Sequence, residues 1–270
     1  MKRLAGRVAV VTGAGSGIGR ATSLALAERG CRLALVDVQA PGAEETRELV
    51  EAAGSRASVH LADVSDADRV AELPGEVVEE HGACHILVNN AGVTSAGRFA
   101  DESLDDVRWI VGINVWGVLN GCHAFLPVLR EADEAHVVYL SSMVGLLGLP
   151  QNASYSLTKG AVRAFSEALR AELVPTNIGV STVFPGAINT NIMHGARGAE
   201  AERLSTMANN KLAPRLLRPP SAVAAKIVRA IEKDKARVLV GPDAHAVDLL
   251  ARIAPGRSGF LGRVLDRATR

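Results

Sequence analysis

The sequence predicts an α/β fold in which a doubly wound, seven-stranded parallel sheet carries helices on both faces. Short apolar runs rich in Val, Leu and Ile alternate along the chain with longer amphipathic segments, which is typical of parallel sheets joined by right-handed crossovers. The short runs are continuously apolar and do not alternate with polar residues. This pattern indicates strands that are covered on both faces.

The strands and helices follow one another in a regular order. The predicted strands span residues 8–11, 32–37, 57–62, 85–89, 136–141, 179–184 and 237–240. The predicted helices span residues 18–29, 43–53, 66–80, 103–128, 153–173 and 221–233. Seven strands in 270 residues leave no room for a second domain, so we expect a single domain over residues 1–270 with its core at 6–242.

Composition excludes several classes of protein. Apolar residues make up 48% of the chain and the net charge is +1, which argues against a disordered chain or a nucleic-acid-coating protein. Three widely separated cysteines without CxxC spacing fit a reducing cytoplasm. No apolar stretch approaches the ~18 residues of a membrane span, so we expect a cytoplasmic protein with no integral membrane contact.

A metal site is not expected. His81, Cys84 and His85 lie close together in the sequence. Gly82 interrupts the predicted helix there and no fourth ligand is evident, whereas structural zinc sites use four ligands.

A glycine-rich loop follows the first predicted strand and opens the first predicted helix. Glycines let a backbone approach a pyrophosphate, and the N–H groups of a helix start attract its charge. No Gly-Lys-Ser/Thr follows, which disfavours a P-loop nucleotide hydrolase. The loop therefore predicts a dinucleotide-binding domain of Rossmann type. Its candidate binding residues are Gly13, Gly15, Ser16, Gly17, Ile18 and Gly19.

Asp37 ends the second predicted strand. A carboxylate there can accept hydrogen bonds from ribose hydroxyls and repels a 2′-phosphate. Neither Ser16 nor Val38 supplies a compensating positive charge. We therefore expect NAD as the cofactor, with NADP disfavoured. The alternative is a solvated aspartate at a strand end.

Tyr155 and Lys159 are four residues apart, so they share one face of the predicted helix. A tyrosine hydroxyl with a pKa of about 10 is a poor base at neutral pH, and a nearby ammonium lowers that pKa. The pair is a candidate general acid–base for a carbinol or carbonyl oxygen. Chance pairs at this spacing are usually surface contacts, so the spacing alone does not decide.

Asn89-Asn90-Ala91-Gly92 and Ser141-Ser142 stand at strand ends, where doubly wound sheets bind ligands. Asp63-Val64, Asn114 and Pro185-Gly186 are further motifs along the chain. Together with the glycine loop and the Tyr155–Lys159 pair, these motifs resemble those of the classical short-chain dehydrogenase/reductase family over residues 6–242.

The resemblance implies roles for these residues. Tyr155 would be the acid–base, Lys159 would lower its pKa and hold the nicotinamide ribose, and Ser142 would bond the substrate oxygen. Asn114 would anchor a water that links Lys159 to solvent. The implied cofactor contacts are Asp63 and Val64 at the adenine, Asn90, Ala91 and Gly92 on the adenosine side, and Pro185, Gly186, Ile188 and Thr190 at the nicotinamide.

Some alternatives stay open. Asn114 could be a capping or core residue, Thr190 could cap a helix, and Ser141 could replace Ser142. The implied activity is NAD-dependent interconversion of a secondary alcohol and a ketone. The other candidates are an NADP-dependent 3-oxoacyl-type carbonyl reductase of the same fold, which Asp37 disfavours, and a non-catalytic dinucleotide-binding regulator.

The substrate side is predicted to be apolar. Residues 143–150 are nearly all apolar, and a segment at 187–220 combines apolar with basic side chains, Arg197 among them. We expect this segment to be a lid over an apolar alcohol or ketone; the alternative is a helix pair packed on the core. Candidate lining residues in this segment are Ile188, Ile192, Met193, Leu204, Met207, Leu212 and Leu216.

A C-terminal extension at 243–270 is the main departure from the family pattern. Residues 244–253 have the pattern of an amphipathic helix, and the end of the chain is basic. The extension could cover a neighbouring subunit, touch an anionic membrane surface or fray in solvent. The family resemblance implies a homotetramer, and the extension makes a dimer the alternative.

Overall fold

The computed structural model confirms the predicted seven-stranded parallel sheet. It describes residues 1–193, 195–202, 206, 217–254, 256 and 259. The strand order is β3-β2-β1-β4-β5-β6-β7, and every neighbouring pair is parallel. The strands are β1 Val8–Thr12, β2 Arg32–Asp37, β3 Ala57–Leu61, β4 Ile86–Asn89, β5 Ala135–Leu140, β6 Ile178–Pro185 and β7 Arg237–Val240. The order reverses between β1 and β4, and such a switch point opens a crevice at the carboxyl ends of the strands.

Eight α-helices join or follow the strands in the described residues. They begin and end close to the predicted bounds. For example, α2 starts before residue 43 because Pro41 occupies its first turn, where proline is tolerated. The helices are α1 Gly17–Ala27, α2 Ala40–Ala52, α3 Ala67–His81, α4 Leu104–Val111, α5 Gly117–Glu131, α6 Ala153–Leu173, α7 Pro220–Lys233 and α8 Pro242–Ile253.

The core consists of two apolar layers, one on each face of the sheet. Alternate residues along each strand enter opposite layers, as the pleat requires. On one face, α1, α2 and α7 cover the sheet through residues such as Leu26, Val50 and Ile227. On the other face, α3, α5 and α6 cover it, with Leu73 and Phe125 among the buried side chains. Coverage on both faces explains why the strands are continuously apolar.

The predicted single helix at 103–128 is interrupted. A π-helical segment at Gly112–Trp116 separates α4 from α5. Such a segment is an insertion in the α-helical hydrogen-bond pattern and is often found at functional sites. It contains Asn114, which is fully buried.

The same stretch corrects an expectation about apolar segments. Leu104–Glu131 forms a 28-residue helical run with a window of mean hydropathy 1.3. By length and composition alone it could span a membrane, a test that buried core helices also pass. Here Cys122, Phe125 and Leu129 pack into the core layer shared with α3.

Two predicted segments are only partly described. Within the predicted lid, residues 194, 203–205 and 207–216 lie outside the described residues. The predicted helix at 244–253 corresponds to α8. Beyond residue 254, only residues 256 and 259 of the C-terminal extension are described.

His136 in β5 is a titratable group inside the fold. Its ring is buried, with Nε2 2.8 Å from the Ser181 hydroxyl oxygen and Nδ1 4.0 Å from an Asp234 carboxylate oxygen. Burial lowers the pKa of His136 from 6.5 to about 4, although Asp234 opposes this shift.

We therefore predict that His136 makes the fold sensitive to acid. The unfolded chain protonates this histidine near pH 6.5, whereas the folded chain protonates it only near pH 4, so the unfolded state binds more protons between those values. Stability is fully present above pH 6.5, and about 3 kcal/mol is lost as the pH falls to 4. Urea unfolding of the wild type and His136→Gln across this range measures the difference.

The exposed His123 provides the control. His123→Gln should keep the wild-type dependence on pH, and His136→Gln should flatten it. If both variants follow the wild-type curve, the assignment to His136 is wrong.

Candidate active site

A cavity of about 790 Å³ opens at the carboxyl ends of the strands. It begins beside the glycine loop and ends near α6. Every predicted site residue except Gly19 and Asn114 lines it. These are Gly13, Gly15, Ser16, Gly17, Ile18, Asp37, Asp63, Val64, Asn90, Ala91, Gly92, Ser142, Tyr155, Lys159, Pro185, Gly186, Ile188 and Thr190.

Two glycines in the loop are required by close backbone approaches. Gly13 has φ +65°, and a Cβ on it would lie 2.9 Å from the Ala91 Cα. A Cβ on Gly19 would lie 2.0 Å from the Gly13 carbonyl oxygen. Gly19 thus lets α1 begin directly beneath the loop, which explains why it does not line the cavity. The resulting backbone cradle fits a pyrophosphate.

The glycine loop is fastened to the segment after β4 by side-chain hydrogen bonds. The Thr12 hydroxyl accepts the N–H groups of Asn90 and Ala91, each at 3.0 Å. The Asn90 amide donates back to the carbonyls of Thr12 and Gly13 at 2.8 and 3.2 Å. Asn90 therefore holds the cradle in shape, in addition to lining the cavity.

Asp37 lies at the edge of this cradle. Its carboxylate accepts the N–H groups of Gly15 at 2.8 Å and Gln39 at 2.9 Å. A positive charge nearby belongs to Arg20, whose guanidinium bonds the Gly15 carbonyl at 2.6 Å and pairs with Glu45 at 2.7 Å. Among the described residues that line the cavity, Lys159 is the only Lys or Arg.

Ser142, Tyr155 and Lys159 meet at the other end of the cavity. The side chains of Ser142 and Tyr155 both line this end of the cavity and are close enough for Ser142 to act on the pKa of Tyr155. Lys159 Nζ donates to the Leu140 carbonyl at 2.9 Å and lies 5.8 Å from the centre of the Tyr155 ring. The neighbouring Ser141 instead donates to the backbone carbonyl of Lys159 at 2.8 Å, so Ser142 is the serine that faces Tyr155.

Burial controls the protonation of this group. It raises the pKa of Tyr155 to about 12, although the hydrogen bond from Ser142 acts in the opposite direction. It also lowers the pKa of Lys159 to about 8. Both shifts favour the neutral form, because a low-dielectric site penalises charge. At neutral pH the proton therefore stays on Tyr155.

Asn114 braces the cavity from behind. Its amide group donates to the Val93 carbonyl at 2.9 Å and the Thr158 hydroxyl at 3.1 Å, and it accepts the Val93 N–H at 2.8 Å. A Cβ on Gly92 would lie 3.0 Å from Asn114 Oδ1 and 3.3 Å from Lys159 Nζ. The side chain thus lies near Lys159 and ties the segment after β4 to α6.

Comparison with known proteins identifies the family. A model described as short chain dehydrogenase matches residues 7–201. The chain belongs to the short-chain dehydrogenase family of oxidoreductases. SadH of Mycobacterium tuberculosis is 39% identical over 258 residues, which is 94% of this chain and 92% of SadH.

The names of two further relatives mention a substrate or a cofactor. LinX of Sphingobium indicum, named as a 2,5-dichloro-2,5-cyclohexadiene-1,4-diol dehydrogenase, is 34% identical over 70% of this chain and 76% of its own length. A short-chain dehydrogenase/reductase of Burkholderia phymatum, crystallised in complex with NAD, is 31% identical. Its TM-score is 0.84, over 93% of this chain and 94% of that chain. The family and this fold support a nicotinamide dinucleotide as the cofactor class.

The turn after β6 is held by a residue that the sequence did not reveal. Asp243, in the first turn of α8, accepts the Ala187 N–H at 2.6 Å and lies against Gly186. Its other carboxylate oxygen is buried and has no partner among the described residues. In the sequence, Asp243 is visible only as an acidic residue directly after Gly241-Pro242. No local pattern indicates that it bonds to the turn after β6.

The substrate side of the dehydrogenase is formed by three loops. The predicted Ile192 and Met193 line the cavity, together with Met143 and Val144 from the turn after β5. Thr190 lies opposite the glycine loop, because a Cβ added to Gly17 would lie 3.4 Å from the Thr190 Cβ. The cavity is also lined by Ser141, the predicted alternative to Ser142, and by Ala187 and Gly195 of the predicted segment at 187–220. Sequence reasoning missed other lining residues because no motif marks them. These are Val36, Val38, Gln39, Gly42, Ala62, Val93, Thr94, Ile113, Leu140 and Asn152.

We predict that Asp243→Ala weakens dinucleotide binding. The substitution removes the carboxylate acceptor of Ala187, so the turn at the nicotinamide end loses a charge-assisted hydrogen bond and the Kd for NADH should rise about threefold to tenfold. Titration of NADH fluorescence measures this change.

The control for Asp243→Ala is Leu249→Ala, an exposed position on the same helix. This variant should bind NADH as the wild type does. Equal Kd values for all three proteins would show that Asp243 does not support the turn.

Proposed function

We propose that this chain is an NAD-dependent oxidoreductase that interconverts a secondary alcohol and a ketone by hydride transfer. The observation that carries the proposal is the meeting of Ser142, Tyr155 and Lys159 in one cavity with the glycine cradle and Asp37. An acid–base group and a dinucleotide cradle in one cleft are what hydride transfer to a carbonyl requires.

Ser142 and Tyr155 are assigned to the substrate oxygen. Both hydroxyl groups belong to residues that line the same end of the cavity, so a carbonyl oxygen placed against the two would receive two hydrogen-bond donors and become more polarised. Bound dinucleotide supplies the hydride in reduction and accepts it in oxidation. During reduction Tyr155 donates its proton to the oxygen as the carbon gains the hydride; during oxidation the tyrosinate takes the alcohol proton.

Tyr155 and Lys159 have different roles in proton transfer. A Tyr155 pKa of about 12 keeps the hydroxyl protonated and ready to donate at neutral pH. A Lys159 pKa of about 8 lies close to neutrality, so this amine can lose and regain a proton readily. We assign Lys159 to the nicotinamide ribose and to resupplying the Tyr155 proton. We assign Asn114 to holding a water on that route.

The preference for NAD is assigned to Asp37. Its carboxylate faces the cavity at the cradle edge, where a 2′-phosphate would meet negative charge. The nearby Arg20 is bonded to Gly15 and paired with Glu45, so its charge is already compensated. The same assignment places Asp63 and Val64 at the adenine, Ser16 to Gly19 and Asn90 to Gly92 along the diphosphate and adenosine, and Pro185, Gly186, Ile188 and Thr190 at the nicotinamide.

The substrate is proposed to be an apolar alcohol or ketone. Val93, Val144, Ile192 and Met193 form much of the wall on the substrate side. Apolar walls bind apolar ligands by removing them from water. The name of the relative LinX, a cyclic diol dehydrogenase, is consistent with a ring-shaped secondary alcohol.

We propose one domain with a core at 6–242, a lid at 187–220 and an extension at 243–270, located in the cytoplasm. The proposed assembly is a homotetramer, with a dimer as the alternative. Exposed Trp116 and Leu157 supply apolar surface for such contacts.

Tyr155→Phe is the decisive test of the mechanism. The variant keeps the ring but loses the proton donor, so turnover should fall by about 10²-fold to 10⁴-fold while NAD binding is retained. Absorbance at 340 nm with NAD⁺ and a panel of steroid, terpenoid, acyl and small-diol alcohols measures the loss.

Tyr139→Phe is the matched control, because the chain has two tyrosines. Tyr139 is buried in β5 with its hydroxyl on the Cys122 sulfur, away from the cavity. Turnover should survive in this variant. Unchanged turnover in Tyr155→Phe would refute the mechanism, and turnover confined to small polar alcohols would refute the apolar substrate.

Asp37→Ala tests the cofactor assignment. Removing the carboxylate deletes an acceptor for the ribose and a repulsive charge, so the ratio of kcat/KM for NAD to that for NADP should fall about tenfold to a hundredfold. Asp68→Ala on the exposed face of α3 makes the same charge change and should leave the ratio intact. Equal use of both cofactors by the wild type would contradict the assignment.

A further inference from the structure

The loops around the substrate side are joined to one another by backbone hydrogen bonds. We call residues 195–200 the wall segment. The Ala96 N–H donates to the Arg197 carbonyl at 3.0 Å, and the Arg197 N–H donates to the Thr94 carbonyl at 3.2 Å. The Gly97 N–H donates to the Gln151 carbonyl at 3.0 Å. The segments after β4, β5 and β6 thus form one continuous wall.

This wall belongs to the cavity. Thr94 and Gly195 line the cavity directly, as does Asn152 beside Gln151. The carbonyl that Gly97 uses belongs to Gln151, which has the left-handed φ of +61° that non-glycine residues rarely adopt. Displacement of the wall segment would therefore move residues that contact the substrate.

One side chain anchors the wall segment to the body of the protein. The Arg197 guanidinium lies over the Trp109 ring, 4.1 Å from its centre, and 3.8 Å from an Asp106 carboxylate oxygen. Both partners are on α4, which leads into the π-helical segment that carries Asn114. A planar guanidinium can stack on a ring and pair with a carboxylate at the same time, which an ammonium does poorly.

We propose that Arg197 is a positioning residue for the substrate: its contact with Trp109 and Asp106 holds the wall segment closed over the cavity. The expected effect on alcohol binding rests on the proposed function. The contact of Arg197 with Trp109 and Asp106 rests on the geometry alone. Arg197 touches neither the reacting atoms nor the cradle, so its loss affects alcohol binding more than NAD binding or the chemical step.

Fluorescence tests the contact without any substrate. The chain has two tryptophans, and Trp116→Phe leaves Trp109 as the sole emitter. In that background, Arg197→Ala should raise acrylamide quenching of Trp109, and Arg197→Lys should give an intermediate value. The control is Arg108→Ala, on the same helix, whose exposed side chain pairs with Asp105 and not with the wall segment. If Arg197→Ala and Arg108→Ala give equal quenching of Trp109, the proposed contact is wrong.

Kinetics test the consequence. Arg197→Ala should raise the KM for the best alcohol of the panel about fivefold, the loss expected from one stacked cation and one partly exposed ion pair. The kcat and the KM for NAD⁺ should stay at wild-type values, and Arg197→Lys should restore part of the alcohol KM. An unchanged alcohol KM would overturn the positioning role, and so would a fivefold fall in kcat without a change in KM.

The two failures are distinguishable. If the wild type turns over none of the alcohols, the proposed function fails, and the quenching experiment still decides whether Arg197 holds the wall segment. If turnover is present and depends on Tyr155, but Arg197→Ala has the wild-type KM for the alcohol, the proposed function stands and this inference fails.

Discussion

The architecture of the site depends on the close approach of the β1–α1 turn to the segment after β4. The order of the sheet reverses between these strands, so their carboxyl ends diverge into a crevice. Only residues without a Cβ permit the contact of Gly13 with Ala91 and of Gly19 with the Gly13 carbonyl. Thr12 and Asn90 then fasten the two segments by reciprocal hydrogen bonds. The cradle is therefore a consequence of the sheet topology and does not require a separate element.

Burial links the stability of the fold to the chemistry of the site. The same loss of solvation lowers the pKa of His136 within strand β5 and of Lys159 in the cavity, and it raises the pKa of Tyr155. At His136 the cost of burying a charged ring makes the folded state less stable in acid. At Tyr155 and Lys159 it favours the neutral hydroxyl and the neutral amine. For these three groups burial is the largest cause of the pKa shift.

The substrate side is constructed differently from the dinucleotide side. The cradle is formed by consecutive residues of one motif, whereas the wall is formed by three loops that pair through their backbones. Asp243 supports the nicotinamide end from α8, and Arg197 supports the wall from the segment after β6. Such supports are free to vary between relatives while the cradle stays the same, since specificity in one fold is usually changed through its loops.

The amino-acid sequence by itself determined the parallel sheet, the order of its elements and most residues of the cavity. These features are local: a strand followed by glycines and a helix, or Tyr155 and Lys159 one helical turn apart, can be recognised from spacing alone. Only the tertiary structure decided that Leu104–Glu131 contains a π-helical segment, that Asp243 meets Ala187, and that Arg197 stacks on Trp109. It also decided how deeply Tyr155 is buried, and this burial raises its pKa. Each of these depends on contacts between residues far apart in the chain or on solvent exclusion, and neither leaves a periodic or motif signal in the sequence.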